Sequence, residues 1–403
     1  MTAPEHPDVP ILVYAPGLGQ TAENSAGRVA EVIATLVDRR RVGTVSTSVE
    51  TKVTAPRGLR VGKTVLAKDD TPILRVFELD YRARLDTSSS AAGPPASPGV
   101  FRSSAFALFG MVRLIKALPQ AAKSPMAKLQ LAYGLIAVLA LMVSAAVAIV
   151  AGLVAAGVSM PDWIDSLFGE HAAAWSIGIG GTVVLTWAAT RKALLAVAVS
   201  TQRLVRYVWN ENRLGDTVAL TVDDAVNGLR DNGWTGDIHL LGYSFGSLVL
   251  FDALFPKVTS LRAPDEVLSV RSLTTLGCPL DVVRMFHPEY VTNREARAPD
   301  APWRNVFIAT DVCGSNLLDS DDKAESTSAA EPKAFVIDGV TPVSTRYLDE
   351  ELTFWSVLRI KGFRTHAGYW GSARDSSCFD VLIEQWLATD RDHLTRTGSG
   401  PQE

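Results

Sequence analysis

Between Asp237 and Ser247 the chain reads Asp-Ile-His-Leu-Leu-Gly-Tyr-Ser-Phe-Gly-Ser. A short apolar run leads into Gly-x-Ser-x-Gly, and a helical pattern follows. This is the spelling of a very tight strand-to-helix turn. Side chains at 242 and 246 would collide with the adjoining strand and helix, so only small residues fit there. The turn raises the Ser244 hydroxyl above the sheet edge and aims the Phe245 backbone N–H at the same spot, as one half of an oxyanion hole. The pentapeptide alone is weak evidence, since chance supplies roughly 0.1–0.2 matches in a chain of this length. Its context carries the argument: a strand before it, a helix after it and suitable partners downstream.

The rest of the chain alternates in the same way. Val9–Tyr14 reads as a buried strand entering the turn Ala15-Pro16-Gly17-Leu18-Gly19. Helical spacing follows over Ser25–Val37, then strands over Val42–Val49 and Pro72–Asp80. Val218–Leu229 is predicted as a helix, Ile238–Leu241 as the strand below Ser244, and Ser247–Phe255 as the helix after it. Further strands are expected at Ser272–Leu276 and Asn305–Thr310, a loop over Ser320–Lys333, another element at Thr353–Leu358 and a closing helix at Phe379–Ala388. Such alternation predicts an α/β fold, a doubly wound and mostly parallel sheet. Gly58-Leu59-Arg60-Val61-Gly62-Lys63-Thr64 resembles a phosphate-binding loop but has three residues between its glycines where four are required, which argues against an NTPase.

Two uncharged stretches interrupt this pattern. Nothing from Leu129 to Pro161 is charged, and a second uncharged run covers His171–Thr190. About 20 apolar residues span a bilayer core, so a two-helix transmembrane hairpin is expected, with helices at about 129–158 and 172–190. Asp162, Asp165 and Glu170 lie between them, while Lys116, Lys123, Lys128, Arg191 and Lys192 flank them. The positive-inside rule puts the flanks in the cytoplasm. Residues 104–116 read as an interfacial helix, with an ordinary amphipathic surface helix as the alternative. Residues 86–99, rich in Ser, Ala and Pro, read as a disordered linker. The expected division is therefore 1–100, a membrane insertion over 101–212, and 213–403. Residues 1–8 are acidic and Pro-rich, so no signal peptide is expected. Three widely spaced cysteines argue against a disulfide framework and show no metal-ligand spacing. A net charge of −4 gives no case for nucleic-acid binding.

A serine hydroxyl needs a base to take its proton, and the base needs an orienting acid. In a sheet of this type they follow in the order Ser, acid, His. Of six histidines, His6 precedes the serine, His171 sits by the apolar runs, and His239 lies inside the strand as a core residue. His287 precedes Pro288, and His393 is in a polar tail. His366, in Arg-Thr-His-Ala-Gly-Tyr-Trp, is the predicted base. Asp311 follows an apolar strand, where carboxylates face the ligand crevice, and is the predicted acid. Asp319 and Asp338 are held in reserve. The second oxyanion donor is expected from the Leu18 N–H, in the loop after the first strand.

Taken together, Pro16-Gly17-Leu18-Gly19, Gly242-Tyr243-Ser244-Phe245-Gly246, the strand-end Asp311 and the late His366 resemble the α/β-hydrolase superfamily of lipases, esterases and thioesterases. The resemblance covers residues 9–80 and 216–388. It departs from the usual lipase pattern in carrying Pro16 where many members have His. The Tyr369-Trp370 pair after the histidine also looks like certain poorly characterised bacterial membrane-associated hydrolases. The resemblance implies a serine hydrolase acting on an ester or other acyl bond, with Ser244, His366 and Asp311 as triad, Phe245 and Leu18 as oxyanion donors, and no metal or organic cofactor. The apolar hairpin adds a bilayer as partner, a multi-pass place in the inner or plasma membrane with the catalytic unit cytoplasmic, and a lipid or acyl-chain substrate. A hydrolase fold that has fallen catalytically silent and serves as a membrane-tethered interaction module is the alternative.

Overall fold

In the computed structural model the chain is described at residues 6–18, 25–40, 49–53, 56–66, 72–85, 131–132, 135, 203–210, 213–260, 267–311, 313–319, 333–347, 366–370 and 378–379. It divides into two compact units, Met1–Ser88 with Arg206–Glu403, and Ser89–Val205. The predicted membrane hairpin, the interfacial segment 104–116 and the linker 86–99 fall outside the described residues, apart from Leu131, Ala132 and Leu135. Among the described residues, no helix is long and apolar enough to cross a membrane.

The first unit is a mixed α/β fold around an eight-stranded sheet. Its strands are β1 (Ile11–Ala15), β2 (Val49–Val53), β3 (Leu59–Leu66), β4 (Pro72–Leu79), β5 (Ile238–Tyr243), β6 (Ser272–Leu276), β7 (Trp303–Phe307) and β10 (Val343–Arg346). They stand in the order β10-β7-β6-β5-β1-β4-β3-β2. The six strands from β10 to β4 are mutually parallel, and β3 and β2 add an antiparallel margin. Two short strands, β8 (Leu318–Asp319) and β9 (Lys333–Ala334), pair separately. Helices among the described residues of this unit include α1 (Ser25–Arg40), α2 (Leu214–Asp231), α3 (Phe245–Leu254) and α4 (Leu280–Phe286).

Strands β1, β5 and β6 are buried at every residue. That is why β1 reads as an unbroken apolar run: helices cover both faces of a parallel sheet, leaving no side that must be polar. α1 turns Val29, Ala30, Ile33, Leu36 and Val37 onto the sheet at helical spacing. α3 is buried at all ten positions, which explains why it lacks an amphipathic stripe. Along the chain, β1 is followed by strands laid to one side and β5 by strands laid to the other. The carboxyl ends of β1 and β5 therefore flank the place where the winding reverses, and ligands of open α/β sheets bind in that crevice.

Several expectations shift. Of the segment Gly58–Thr64, set aside as a false phosphate loop, Leu59–Thr64 belongs to strand β3, which the sequence reading missed, and Gly58 is in the turn before it. The register slips between Arg60 and Gly62, so the apolar alternation is broken by a bulge. The strand expected over 42–49 meets the described residues only at Val49, where β2 begins. Residues 353–358 and 380–388, read as further elements, lie outside the described residues, as do 320–332 of the expected loop; Lys333 itself is in β9. The strand expected to run from Asn305 to Thr310 ends at Phe307, so Asp311 does not follow it directly. A turn closed by the Asp311 N–H on the Ile308 carbonyl (2.9 Å) carries the chain to it.

Candidate active site

The serine sits where the sheet's geometry is most constrained. Ser244 links β5 to α3 with φ 54° and ψ −123°, a left-handed conformation that a non-glycine residue adopts at a cost of about 1–3 kcal/mol. Backbone hydrogen bonds lock it: its N–H donates to the Leu276 carbonyl at 2.8 Å, and its carbonyl accepts from the Ser247 N–H at 2.9 Å. The flanking glycines are sterically required. A methyl group on Gly242 would lie 2.6 Å from the Ser247 Cα, and one on Gly246 would lie 2.0 Å from the Ala15 carbonyl oxygen. No side-chain rotation relieves either clash, because both partners are backbone.

Three side chains drawn from distant parts of the sequence meet here. The Ser244 hydroxyl lies 2.8 Å from His366 Nε2. On the other side of the ring, His366 Nδ1 lies 2.9 Å from Asp311 Oδ2 and 3.1 Å from Oδ1. A nitrogen facing a carboxylate carries the proton, so Nδ1–H donates to Asp311 and Nε2 accepts from the serine hydroxyl. Asp311 is fully buried and His366 only slightly exposed. Buried carboxylates need donors, and Asp311 has two besides the imidazole. The Cys313 N–H donates to Oδ1 at 2.9 Å, and the Tyr369 hydroxyl donates to Oδ2 at 2.8 Å. Tyr369 oxygen in turn accepts from the Ile308 N–H at 3.1 Å. Burial, then the Asp311 charge, push its hydroxyl well above the ordinary value, so Tyr369 is a permanent donor.

A second tyrosine holds the imidazole. Tyr243, inside the Gly-x-Ser-x-Gly pentapeptide, lies against the His366 ring with centroids 5.3 Å apart and planes 22° from parallel. Its hydroxyl donates to the His366 carbonyl at 2.5 Å. The Trp370 ring packs edge-on against both Tyr243 and Tyr14. The short 3-10 turn Ala367–Trp370 thus docks on the aromatic end of β1 and β5. Sequence reasoning missed the roles of Tyr243 and Tyr369. Their only local signals were position: one beside the serine, the other a turn beyond the histidine.

The two expected oxyanion donors lie at the same crevice. Phe245 is the first residue of α3, so its N–H has no carbonyl a turn behind it within the helix. Leu18 stands in the loop after β1. That loop borders the serine closely, since a methyl group on Gly17 would lie 3.1 Å from the Ser244 Cβ.

The reserve acids are elsewhere. Asp338 accepts from the Ala296 N–H at 2.8 Å, and Asp319 is in β8. His239 is a core residue whose Nδ1 lies 2.8 Å from the Ser272 hydroxyl, and burial holds it down to about 4. His287 stacks on Trp209, and His171 and His393 lie outside the described residues. The ligand atoms of Asp311, Cys313 and His366 lie within 4.8 Å of one another, a spacing a metal ion could use. Burial pushes the Cys313 thiol well up, toward its non-ligating neutral form. A metal on His366 would also displace Ser244 or Asp311 from the imidazole, so the donor set fits a proton relay better than a metal. Against protein-family models, curated proteins and solved structures, the chain finds no match.

Proposed function

We propose that the chain is a membrane-anchored serine hydrolase of the α/β-hydrolase kind, cleaving an ester, thioester or related acyl bond. One observation carries the reading: a strained serine between strand and helix lies 2.8 Å from an imidazole whose far nitrogen is paired with a buried carboxylate. Those contacts favour catalysis over the silent interaction module, which needs no such convergence.

In this reading Ser244 attacks the acyl carbonyl as His366 Nε2 takes its proton. Asp311 keeps the imidazole in the required tautomer and stabilises the imidazolium. The Phe245 and Leu18 N–H groups hold the oxyanion of the tetrahedral intermediate. His366 then returns the proton to the departing alkoxide or thiolate, leaving Ser244 acylated. Water, deprotonated by His366, attacks the acyl-enzyme and releases the acid. No metal or organic cofactor takes part. The long uncharged runs at 129–158 and 172–190 support two membrane spans, which would hold the catalytic unit at the cytoplasmic face and make a lipid or acyl chain the fitting substrate.

Labelling with a fluorophosphonate probe tests the chemistry. The native chain should be modified at Ser244 and Ser244→Ala should not; equal labelling of the two would remove the serine from its role. Membrane anchoring is tested by alkaline carbonate extraction of expressing cells, where the chain should stay with the pellet. Release into the supernatant would discard the hairpin.

A further inference from the structure

Two side chains without a part in the mechanism so far lie directly after β4. Tyr81 is buried, and its hydroxyl donates to the Pro16 carbonyl. Arg82 is half-buried, and its Nη2 donates to the Gly17 carbonyl at 2.6 Å. These are consecutive carbonyls of the loop that follows β1. The topology explains the meeting: β4 pairs with β1 in parallel, from Ile11 opposite Arg75 to Tyr14 opposite Glu78. Whatever comes just after β4 therefore lies beside whatever comes just after β1.

The direction of a carbonyl fixes the direction of an N–H. In a trans peptide the C=O and the N–H of one planar unit point opposite ways. Holding the Pro16 carbonyl sets the Gly17 N–H, and holding the Gly17 carbonyl sets the Leu18 N–H, pointed away from the arginine. The loop so oriented is the one that borders the Ser244 Cβ. A guanidinium on a carbonyl oxygen also polarises the whole peptide, which makes the N–H at its other end a stronger donor. The Tyr81 ring meanwhile packs against Phe245, the residue that supplies the other donor, with centroids 5.8 Å apart.

We propose that Tyr81 and Arg82 are positioning residues for the oxyanion hole, with Arg82 fixing and strengthening the Leu18 N–H through the Gly17 carbonyl. The proposal rests on Ser244 being a nucleophile. It assigns the pair no contact with substrate; they act through the loop backbone. Because the oxyanion exists only in the transition state, their effect falls on kcat and leaves ground-state binding unchanged.

The test compares the native chain with Arg82→Gln, Arg82→Lys and Tyr81→Phe, all checked for thermal unfolding. The readouts are hydrolysis of a p-nitrophenyl ester and inhibition by a trifluoromethyl ketone, whose adduct with serine carries an oxyanion. Arg82→Gln should lose about tenfold in kcat with KM held within about twofold, and should bind the ketone more weakly by a similar factor. Arg82→Lys, which keeps a charged donor, should recover most of both. Tyr81→Phe, which keeps the ring and removes one oxygen, should lose kcat in the same direction and serves if Arg82→Gln does not fold. Native kcat and ketone affinity in folded Arg82→Gln, a loss confined to KM, or no recovery by lysine would overturn the proposal. A native chain that the fluorophosphonate leaves unlabelled would overturn the underlying hydrolase reading instead, so the two failures are distinguishable.

Discussion

Removing one oxygen atom, by Tyr369→Phe, isolates the support beneath the Asp311–His366 pair. The Tyr369 hydroxyl is buried and makes two hydrogen bonds, giving one to Asp311 Oδ2 at 2.8 Å and taking one from the Ile308 N–H at 3.1 Å. The ring itself stays put, packed so closely on Gly277 that a methyl group there would lie 2.8 Å from its Cε2. Phenylalanine therefore leaves a buried N–H without its partner and takes one donor from a buried carboxylate. An orphaned buried donor costs about 1–3 kcal/mol and a hydrogen bond to a charged group about 1.5–3, so a combined loss of about 2–4 kcal/mol is expected, short of full additivity. Asp311 keeps the Cys313 N–H and the imidazole, so its position loosens without being lost, and kcat should fall about tenfold with KM little changed. Urea unfolding followed by far-ultraviolet circular dichroism measures the first effect, and p-nitrophenyl ester hydrolysis by the same preparation the second. A variant within about 0.5 kcal/mol of the native chain, the usual range for surface changes, would refute the burial argument. Native stability lost with kcat intact would show that Tyr369 braces the fold and not the relay.

Two further outcomes follow from the described geometry. Gly246→Ala should destabilise the chain by about 3 kcal/mol or more and abolish fluorophosphonate labelling, because the added methyl meets backbone on β1; a stable, labelled variant would show that α3 can slide outward. His239 is neutral in the folded core and titrates there near 4, below its unfolded value of 6.5. Above 6.5 it is neutral in both states and has no effect on stability. As pH falls below 6.5 the unfolded chain takes up the proton first, so stability falls by about 3 kcal/mol by pH 4. His239→Gln should flatten that part of the stability profile, and an unchanged slope would place the acid sensitivity elsewhere.

What was legible in the sequence was local or directional. β5, Ser244 and α3 announce themselves within eleven residues, because the steric demands of the turn are written in its own glycines. β1 was legible as an apolar run for the reason that it is buried on both faces. Asp311 was reached through chain order, although its strand ends earlier than the apolar pattern suggested; Ile308 and Thr310 are buried for a turn and not for a strand. β3 was hidden by its bulge, and β10, a half-exposed edge strand reading Val-Ser-Thr-Arg, has no apolar face to show. The tyrosines were illegible for a different reason. Tyr243 meets His366, Tyr369 meets Asp311, and Tyr81 meets Pro16 only because the sheet order brings strand ends together, and no spacing along the chain records that order.

The same sheet order has a consequence for synthesis. β1 is the strand against which β5 pairs, Val13 opposite Leu240, so the central pair of the sheet joins residues about 230 positions apart. At about 5–20 residues per second, roughly 10 to 50 seconds separate the emergence of the two from the ribosome. During that interval the fully apolar β1 has β4 on one edge and nothing on the other. Its unpaired edge is a template for any passing strand. The nascent chain is thus most vulnerable to misassembly at the strand that later borders its serine, and chaperone demand should peak before residue 240 is made and fall once β5 docks.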